Sequence, residues 1–409
     1  MNGKAETTEI KNFKDFFTFI RESFKPRGKN IFTPFNIITV PVILLGLVII
    51  VIRFTRGLGA VTNLSQEFPW GLWIGFDVLI GIALAGGAYV LCFVYYILGY
   101  KKYHPIVRVV VLNGFLAYSF YAGALLLDLG RPWNAFNFLI GNKFGFSSVL
   151  FMVAWHFFLY TLSLLIEFAP AIAEWLGLKR AWKTLNAMTL GAVVFGIMLS
   201  LGHQGGVGGL FLIAKAKIHP LWYSEFIPLL FVVSSIFAGL SMVIFEGSIS
   251  SRVFRDRMSA KHRETHDRLV ITLAKVCAGT IFVYLFLKLL EINHQGTWSL
   301  LTTPMGYWYL LEVVGCTVLP CILFLQGARN GSPSMIKVAA VISMIGIILN
   351  RINICLVAYK WYAPIRYYPS WMEVVVTLTV IFTELWVYRW IINRMPVVSE
   401  SPEWVENKH

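Results

Sequence analysis

Residues 68–98 read FPWGLWIGFDVLIGIALAGGAYVLCFVYYIL, and this run decides the fold. Asp77 is its only charged residue, and its length exceeds the roughly 20 apolar residues a helix needs to cross a bilayer core. Nine further runs of this kind lie at 35–55, 106–128, 146–172, 184–204, 224–250, 268–292, 306–328, 333–359 and 371–394. The 409 residues are 57% hydrophobic and 14% charged, with a mean hydropathy of +0.68. Soluble domains rarely reach that apolar share, so the expected fold is an all-α polytopic membrane protein with ten transmembrane helices. Continuous runs, in place of short alternating ones, exclude a β-barrel. Charge is costly inside such segments, so their few acids and bases are the candidates for function.

The net charge of +14 points to topology and not to nucleic acid. With the amino terminus placed in the cytoplasm, the inside segments hold 24 Lys and Arg. The outside segments hold 8: Arg53, Arg56, Arg131, Lys143, Lys215, Lys217, Lys360 and Arg366. That asymmetry follows the positive-inside rule and puts both termini on the cytoplasmic side. Ahead of the first run, Phe13, Phe16, Phe17, Ile20 and Phe24 recur at helical spacing among basic residues, as in an amphipathic helix on the inner membrane surface. The first run lacks a small-residue cleavage site and reads as a retained span. Cys92, Cys277, Cys316, Cys321 and Cys355 all fall in apolar runs without a CxxC pair, so neither a disulfide nor a bound metal is expected.

Depth follows from a rise of about 1.5 Å per residue. Asp77 lies about 10 Å below the outer face on that scale, and His156 close to mid-membrane. Asp77 has no evident cation nearby in sequence and can take up and release protons. Glu312 and Arg351 come out at matching depth with opposite sign, which predicts a structural ion pair. Lys288 and Glu291, three residues apart, suggest another. Asp128 closes the third run in DLGRP, where a local pair with Arg131 is the plain alternative to a functional role. HQGGVGGL at 203–210 is expected to end the fifth helix at the outer face, its glycines admitting a flat ligand and His203 and Gln204 offering hydrogen bonds to a carbonyl. Polar groups of the second, third and fifth helices then converge, with Trp70 and Tyr121 beside them, as a quinone head-group site requires. A proton path from the cytoplasm would use Asp77, His156, Glu167 and Glu246, helped by hydroxyls such as Tyr121 and Tyr160. Haem is not expected, because His156 is the one deep histidine and a membrane b-type haem needs two. Neither a P-loop nor a GxGxxG introduces a helix, so nucleotide binding is not expected.

Small residues stud the second run (Gly71, Gly75, Gly81, Ala83, Ala85, Gly86, Gly87, Ala88), as close helix approach in lipid requires. FPWGLW and HPLWYS open the second and sixth runs alike, hinting at a duplicated four-helix unit.

Eight separated motifs carry a wider resemblance. FPWGLWIGFD, LLLDLGRPWN, SVLF followed by LIEFAP, HQGGVGG, HPLWYS, VIFEGS, LNRIN and YYPSWMEV occur in order across residues 55–395. The chain resembles the NrfD/PsrC family of quinone-interacting membrane subunits. The nearer branch is the ten-helix subunit of quinone-linked nickel–iron hydrogenases and related periplasmic redox complexes. The resemblance implies two four-helix bundles plus two flanking helices. The expected segments are a cytoplasmic amphipathic stretch (1–34), a flanking helix (35–55), a first bundle with the quinone site (70–204), a second bundle (224–359), a flanking helix (371–394) and a cytoplasmic tail (395–409). It also implies menaquinone or another quinone bound near the periplasmic face, without haem or metal in this chain. The implied partner is an extracytoplasmic iron–sulfur subunit and, through it, a periplasmic hydrogenase, a cytochrome c or another redox enzyme. Asp77, Asp128, His203 and Gln204 match motif positions and inherit quinone or proton work; Glu246 and Arg351 also match. One departure stands at Met152, where relatives often carry an acid early in the fourth helix; His156 lies one turn deeper.

The resulting expectation is a respiratory-complex subunit in the bacterial cytoplasmic membrane, surrounded by lipid, that exchanges electrons between menaquinone and the partner and translocates protons. The competing readings are an ion-coupled secondary transporter or proton channel built on Asp77, Glu312 and Arg351, and a purely structural anchor. Ten helices and buried acids exceed what an anchor needs.

Overall fold

The computed structural model describes residues 13–25, 32–140, 145, 147–254 and 260–398. Lys143, the middle of the inside loop at 255–259, and the ends of the amino-terminal segment and tail lie outside the described residues. Among the described residues, ten helices are long and apolar enough to span a membrane: Pro34–Arg56, Leu72–Ile97, Lys101–Asp128, Val149–Trp175, Lys179–Lys217, Ile227–Val253, Arg268–Gln295, Pro304–Arg329, Pro333–Val357 and Trp371–Ile392. They are called the first to tenth spans here. Among the described residues there is no strand, only an isolated bridge between Ile218 and Tyr359. The chain is an all-α multi-pass membrane protein.

Local chemistry starts several spans. Thr33 accepts from the Asn36 amide at 3.2 Å with Pro34 in the first turn, and Ser332 accepts from Met335 at 3.5 Å ahead of Pro333. Ser370 and Glu373 form a reciprocal capping box at the start of the tenth span.

The second span packs on the third, the third on the fourth, the fourth on the fifth, and the fifth returns to the second. The sixth to ninth spans close a second circuit in the same way. Spans one and ten pair with each other, and the tenth lies along the third. The circuits join where the second span crosses the sixth. A Cβ on Gly239 would lie only 2.0 Å from the Gly87 nitrogen, so glycine is required on the sixth span for this crossing. On the first span Ile37, Ile38, Leu44, Leu47, Val48 and Val51 stay exposed, as lipid-facing residues should.

The fifth span departs from expectation. It does not end at 204 but runs helical to Leu210 and, in a tighter turn, to Lys217. Its glycines pack instead of breaking the helix: Gly206 lies against Val153, and Gly208 against Pro228 and Phe231. The amino-terminal helix Phe13–Phe24 sits at the inner ends of the fourth and tenth spans, with Phe19 4.8 Å from the Trp175 ring and Phe24 5.6 Å from that of Trp390.

The opposite face, termed outer after the charge asymmetry, carries the loops at 57–71, 129–148, 218–226, 296–303 and 358–370. Lys360 pairs with Glu67 there and donates its amide to the Lys217 carbonyl. The hydrogen bond from Lys360 holds the Glu67 carboxyl below its ordinary range, and Glu67 in turn raises Lys360.

Candidate functional site

Asp77 lies in a π-helical turn, Gly75–Gly81, near the outer end of the second span. Such turns hold an extra residue and often occur at functional sites. The side chain is buried, and Oδ1 has no hydrogen-bond partner. Gly81 lets the third span come close: a Cβ there would fall 2.3 Å from the Tyr121 ring. Tyr121 also packs edge-on to Phe76 at 6.0 Å, and its hydroxyl is within reach of the Glu384 carboxyl in the tenth span. Asp128 and Glu384 are the charged groups that Asp77 feels most. Glu384 was not among the expected residues, although an acid in the middle of the tenth apolar run is the same signal that marked Asp77.

Asp128 is not partnered by the nearby Arg131. The cation whose field reaches it is Arg53 of the first span, buried although it counts among the outside basic residues by sequence, and the two make no ion pair among the described residues. Arg53 Nε donates to the Leu127 carbonyl at 2.6 Å, and its Nη2 to that of Leu129. The guanidinium thereby caps the negative end of the third helix. Asp128 Oδ1 remains without a partner.

His203 lies well inside the fifth span, because the following glycines stay helical. It has no solvent exposure, and neither ring nitrogen has a partner. The Phe157 and Tyr118 rings enclose it at 5.2 and 5.9 Å. Gln204 donates to the Ile82 carbonyl of the second span at 3.0 Å. His156 stands beside it, with Nε2 3.1 Å from where a Cβ would sit on Gly202. The hydroxyls of Tyr118, Tyr160 and Ser200 are buried nearby without a hydrogen-bond partner.

The expected site residues therefore fall into two groups. Asp77, Tyr121 and Asp128 form an outer group with Glu384 deeper below it, and His203 and Gln204 line the interior of the first bundle with His156. Trp70 stands apart, edge-on to Phe211 at 5.8 Å. Of the remaining path residues, Glu167 accepts from the Cys92 thiol at 3.3 Å, and Glu246 accepts from the Asn113 amide.

The second bundle is arranged differently. Glu312 accepts from Trp222 Nε1 at 2.8 Å, Asn350 Nδ2 at 2.7 Å and Asn353 Nδ2 at 2.5 Å. Arg351 donates to Asn350 Oδ1 and Ser234 Oγ and lies over the Phe231 ring at 3.5 Å. In place of the direct Glu312–Arg351 ion pair expected from their depth, Asn350 stands between the two charges. Its amide satisfies both at once, which two side chains of fixed length on neighbouring spans do not reach alone. Lys288 and Glu291 pair at 2.8 Å, both buried.

Sequence comparison agrees with this architecture. The family described as polysulphide reductase, NrfD, matches residues 60–363. The chain belongs to the NrfD family. This NrfD-family chain is 41% identical to a protein of Nitratidesulfovibrio vulgaris, over 92% of this chain and 97% of the relative. It is 30% identical to the probable Ni/Fe-hydrogenase 2 b-type cytochrome subunit of Escherichia coli (strain K12), over 94% and 97%. The integral membrane subunit of menaquinone reductase from Nitratidesulfovibrio vulgaris is 28% identical, over 77% and 78%.

The b-type cytochrome in the second relative's name makes a haem between His156 and His203 the arrangement to test. The residues do not fit it. A bis-histidine haem needs a porphyrin plane between its two imidazoles. Here His156 is pressed against Gly202 of the fifth span, and His203 is closed in by Tyr118 and Phe157.

Proposed function

We propose that this chain is the quinone-reactive membrane subunit of a respiratory redox complex in the bacterial cytoplasmic membrane, both termini facing the cytoplasm. It exchanges electrons between menaquinone and an iron–sulfur partner on the outer side. The observation that carries this reading is the set of buried polar atoms left unpartnered in the outer half of the first bundle: both nitrogens of His203, Asp77 Oδ1 and Asp128 Oδ1. Such atoms cost about 1–3 kcal/mol each when unmatched, and a ligand whose two carbonyl oxygens accept from the His203 N–H and from a protonated Asp77 carboxyl removes part of that cost. His203 and Gln204 would hold the head group, and the acidic group would serve as proton donor and acceptor. A quinone supplies two-electron, two-proton chemistry when bound. Trp133, Phe136, Ile140, Ile213 and Ile365 are exposed on the outer side and offer apolar surface to a partner. The name of the menaquinone reductase relative supports the choice of quinone.

The test is His203→Ala in the complex purified with its partner subunits. Quinone turnover should fall about ten-fold or more, while the partner's activity with artificial dyes and the assembly itself stay intact. Unchanged quinone kinetics would remove His203 from the site.

A further inference from the structure

We propose that Glu384 is the central proton carrier between the inner face and Asp77, in a seam where the third, sixth and tenth spans meet. The proposal deepens the quinone reading and rests on it.

Three helices present the relevant side chains to one another. On the third span Asn113, Tyr121 and Asp128 are eight and seven residues apart, which keeps them on one side of the helix over about 22 Å. On the tenth span Glu384 and Tyr388 are four apart, and on the sixth so are Glu246 and Ser250. Side-chain contacts join these faces. Asn113 donates to Glu246, the Ser250 and Tyr388 hydroxyls lie 3.1 Å apart, and Tyr121 reaches Glu384. At the inner end a cavity of about 30 Å³ is lined by Ile106, Val110, Glu246, Ser250, Leu273 and Val398. It has room for about one water, with Glu246 and Ser250 to bind it.

Depth orders the groups. Glu246 lies about 10 Å from the inner end of its span, Glu384 about 20 Å below Trp371, and Tyr121 about 10 Å below Asp128. Electrostatic contact links Glu246 to Glu384, Glu384 to Asp77, and Asp77 to Asp128. Neither Glu246 nor Glu384 makes an ion pair among the described residues. A carboxyl kept in a membrane without a counter-charge can change protonation at less cost than one locked to a cation. Glu167 and His156 belong to the interior of the first bundle and are bypassed.

Reduction of one quinone to quinol takes two electrons from the partner's iron–sulfur cluster and two protons. A proton entering from the inner side binds the cavity water, which passes one on to the Glu246 carboxylate and stays as water, and Glu246 hands it to the Glu384 carboxylate. Glu384 then protonates the Tyr121 oxygen as that hydroxyl releases its own proton to Asp77. Asp77 delivers it to a quinone oxygen. Only O–H bonds form and break, and each group regains its starting state with the next proton.

The test uses the complete complex in proteoliposomes with a water-soluble menaquinone analogue, comparing wild type, Glu384→Gln, Glu384→Asp and Thr383→Ala. Among the described residues the Thr383 hydroxyl bonds only its own helix, to the Thr379 carbonyl at 2.7 Å, and its variant controls for packing of the tenth span. Glu384→Gln should slow quinone turnover about ten-fold or more, enlarge the solvent deuterium isotope effect and abolish the membrane potential, with dye activity and analogue affinity unchanged. Glu384→Asp should restore much of the rate, and Thr383→Ala should stay within about two-fold of wild type. An active wild type with Glu384→Gln within about two-fold of it overturns the relay. So does a loss of rate accompanied by weaker analogue binding and no rescue by Asp, which marks a packing role. A wild-type complex that does not turn over quinone overturns the underlying reading instead, and the relay with it.

Discussion

Glu312 in the eighth span accepts three hydrogen bonds, whereas Asp77 in the second span leaves Oδ1 without a partner. Both acids lie in π-helical turns near the outer ends of their spans. Their surroundings separate them. The second bundle sets Lys288 against Glu291 and links Arg351 to Glu312 through Asn350, so opposite charges are balanced inside it. The first bundle and its seam gather Asp77, Asp128, Glu246 and Glu384, with Arg53 the cation beside Asp128. A closed network holds helices in register. An open, like-charged one has capacity left for protons and ligand. On the proposed function, the second bundle serves as scaffold and the first as site.

The largest effect should come from breaking the closed network. Glu312→Ala would leave the donors of Trp222, Asn350 and Asn353 unmatched and Arg351 without its balancing charge, costing about 3–5 kcal/mol. Thermal unfolding of the detergent-purified chain should drop sharply, with partial recovery in Glu312→Gln, which keeps an acceptor. A melting point near wild type for Glu312→Ala would dissolve the distinction between the bundles. His203→Ala should behave in the opposite way. His203 makes no hydrogen bond among the described residues, so its truncation costs only packing against Phe157 and Tyr118, and the melting point should fall less than in Glu312→Ala while quinone turnover collapses.

The interior of the first bundle also bears on colour. Because His156 and His203 leave no place for a porphyrin between them, a dithionite-reduced spectrum of the purified chain should lack a b-type α-band. Stoichiometric haem would place both histidines in a metal site and reverse their reading.

The smallest effect concerns the outer loop of the second bundle. His219 accepts the Leu221 amide at Nδ1, 3.2 Å away, and burial lowers its basicity. The unfolded chain therefore binds this proton more readily than the folded one, and the loop is held best above the ordinary histidine range near 6.5. As pH falls below that value the contact should weaken, read as faster hydrogen exchange at Leu221. Exchange that does not depend on pH beyond its intrinsic chemistry would show that His219 is not needed neutral.

Much of the fold was legible in the run lengths, and the acids at 77, 128, 246 and 312 stood out because a charge within an apolar run is visible one helix at a time. Glu384 carries that same signal, but no motif surrounds it. The glycines after His203 suggest a helix end, although in contact with Val153, Pro228 and Phe231 they continue the helix. Glycine weakens a helix mainly through solvent exposure and backbone entropy, and close packing against a neighbour relieves both.

By itself, the sequence determined the number of spans and several of their ionisable residues, Asp77, Asp128, Glu246 and Glu312 among them, since transfer into a membrane is a local property of each segment. Only the tertiary structure decided that Arg53 and not Arg131 caps the helix end at Asp128, that Asn350 stands between Glu312 and Arg351, and that Glu384 lies near Tyr121. Those pairings depend on how each helix is rotated and which helix it touches. Close approaches such as Gly239 on Gly87 and Gly81 on Tyr121 set that rotation, and hydropathy carries no record of it.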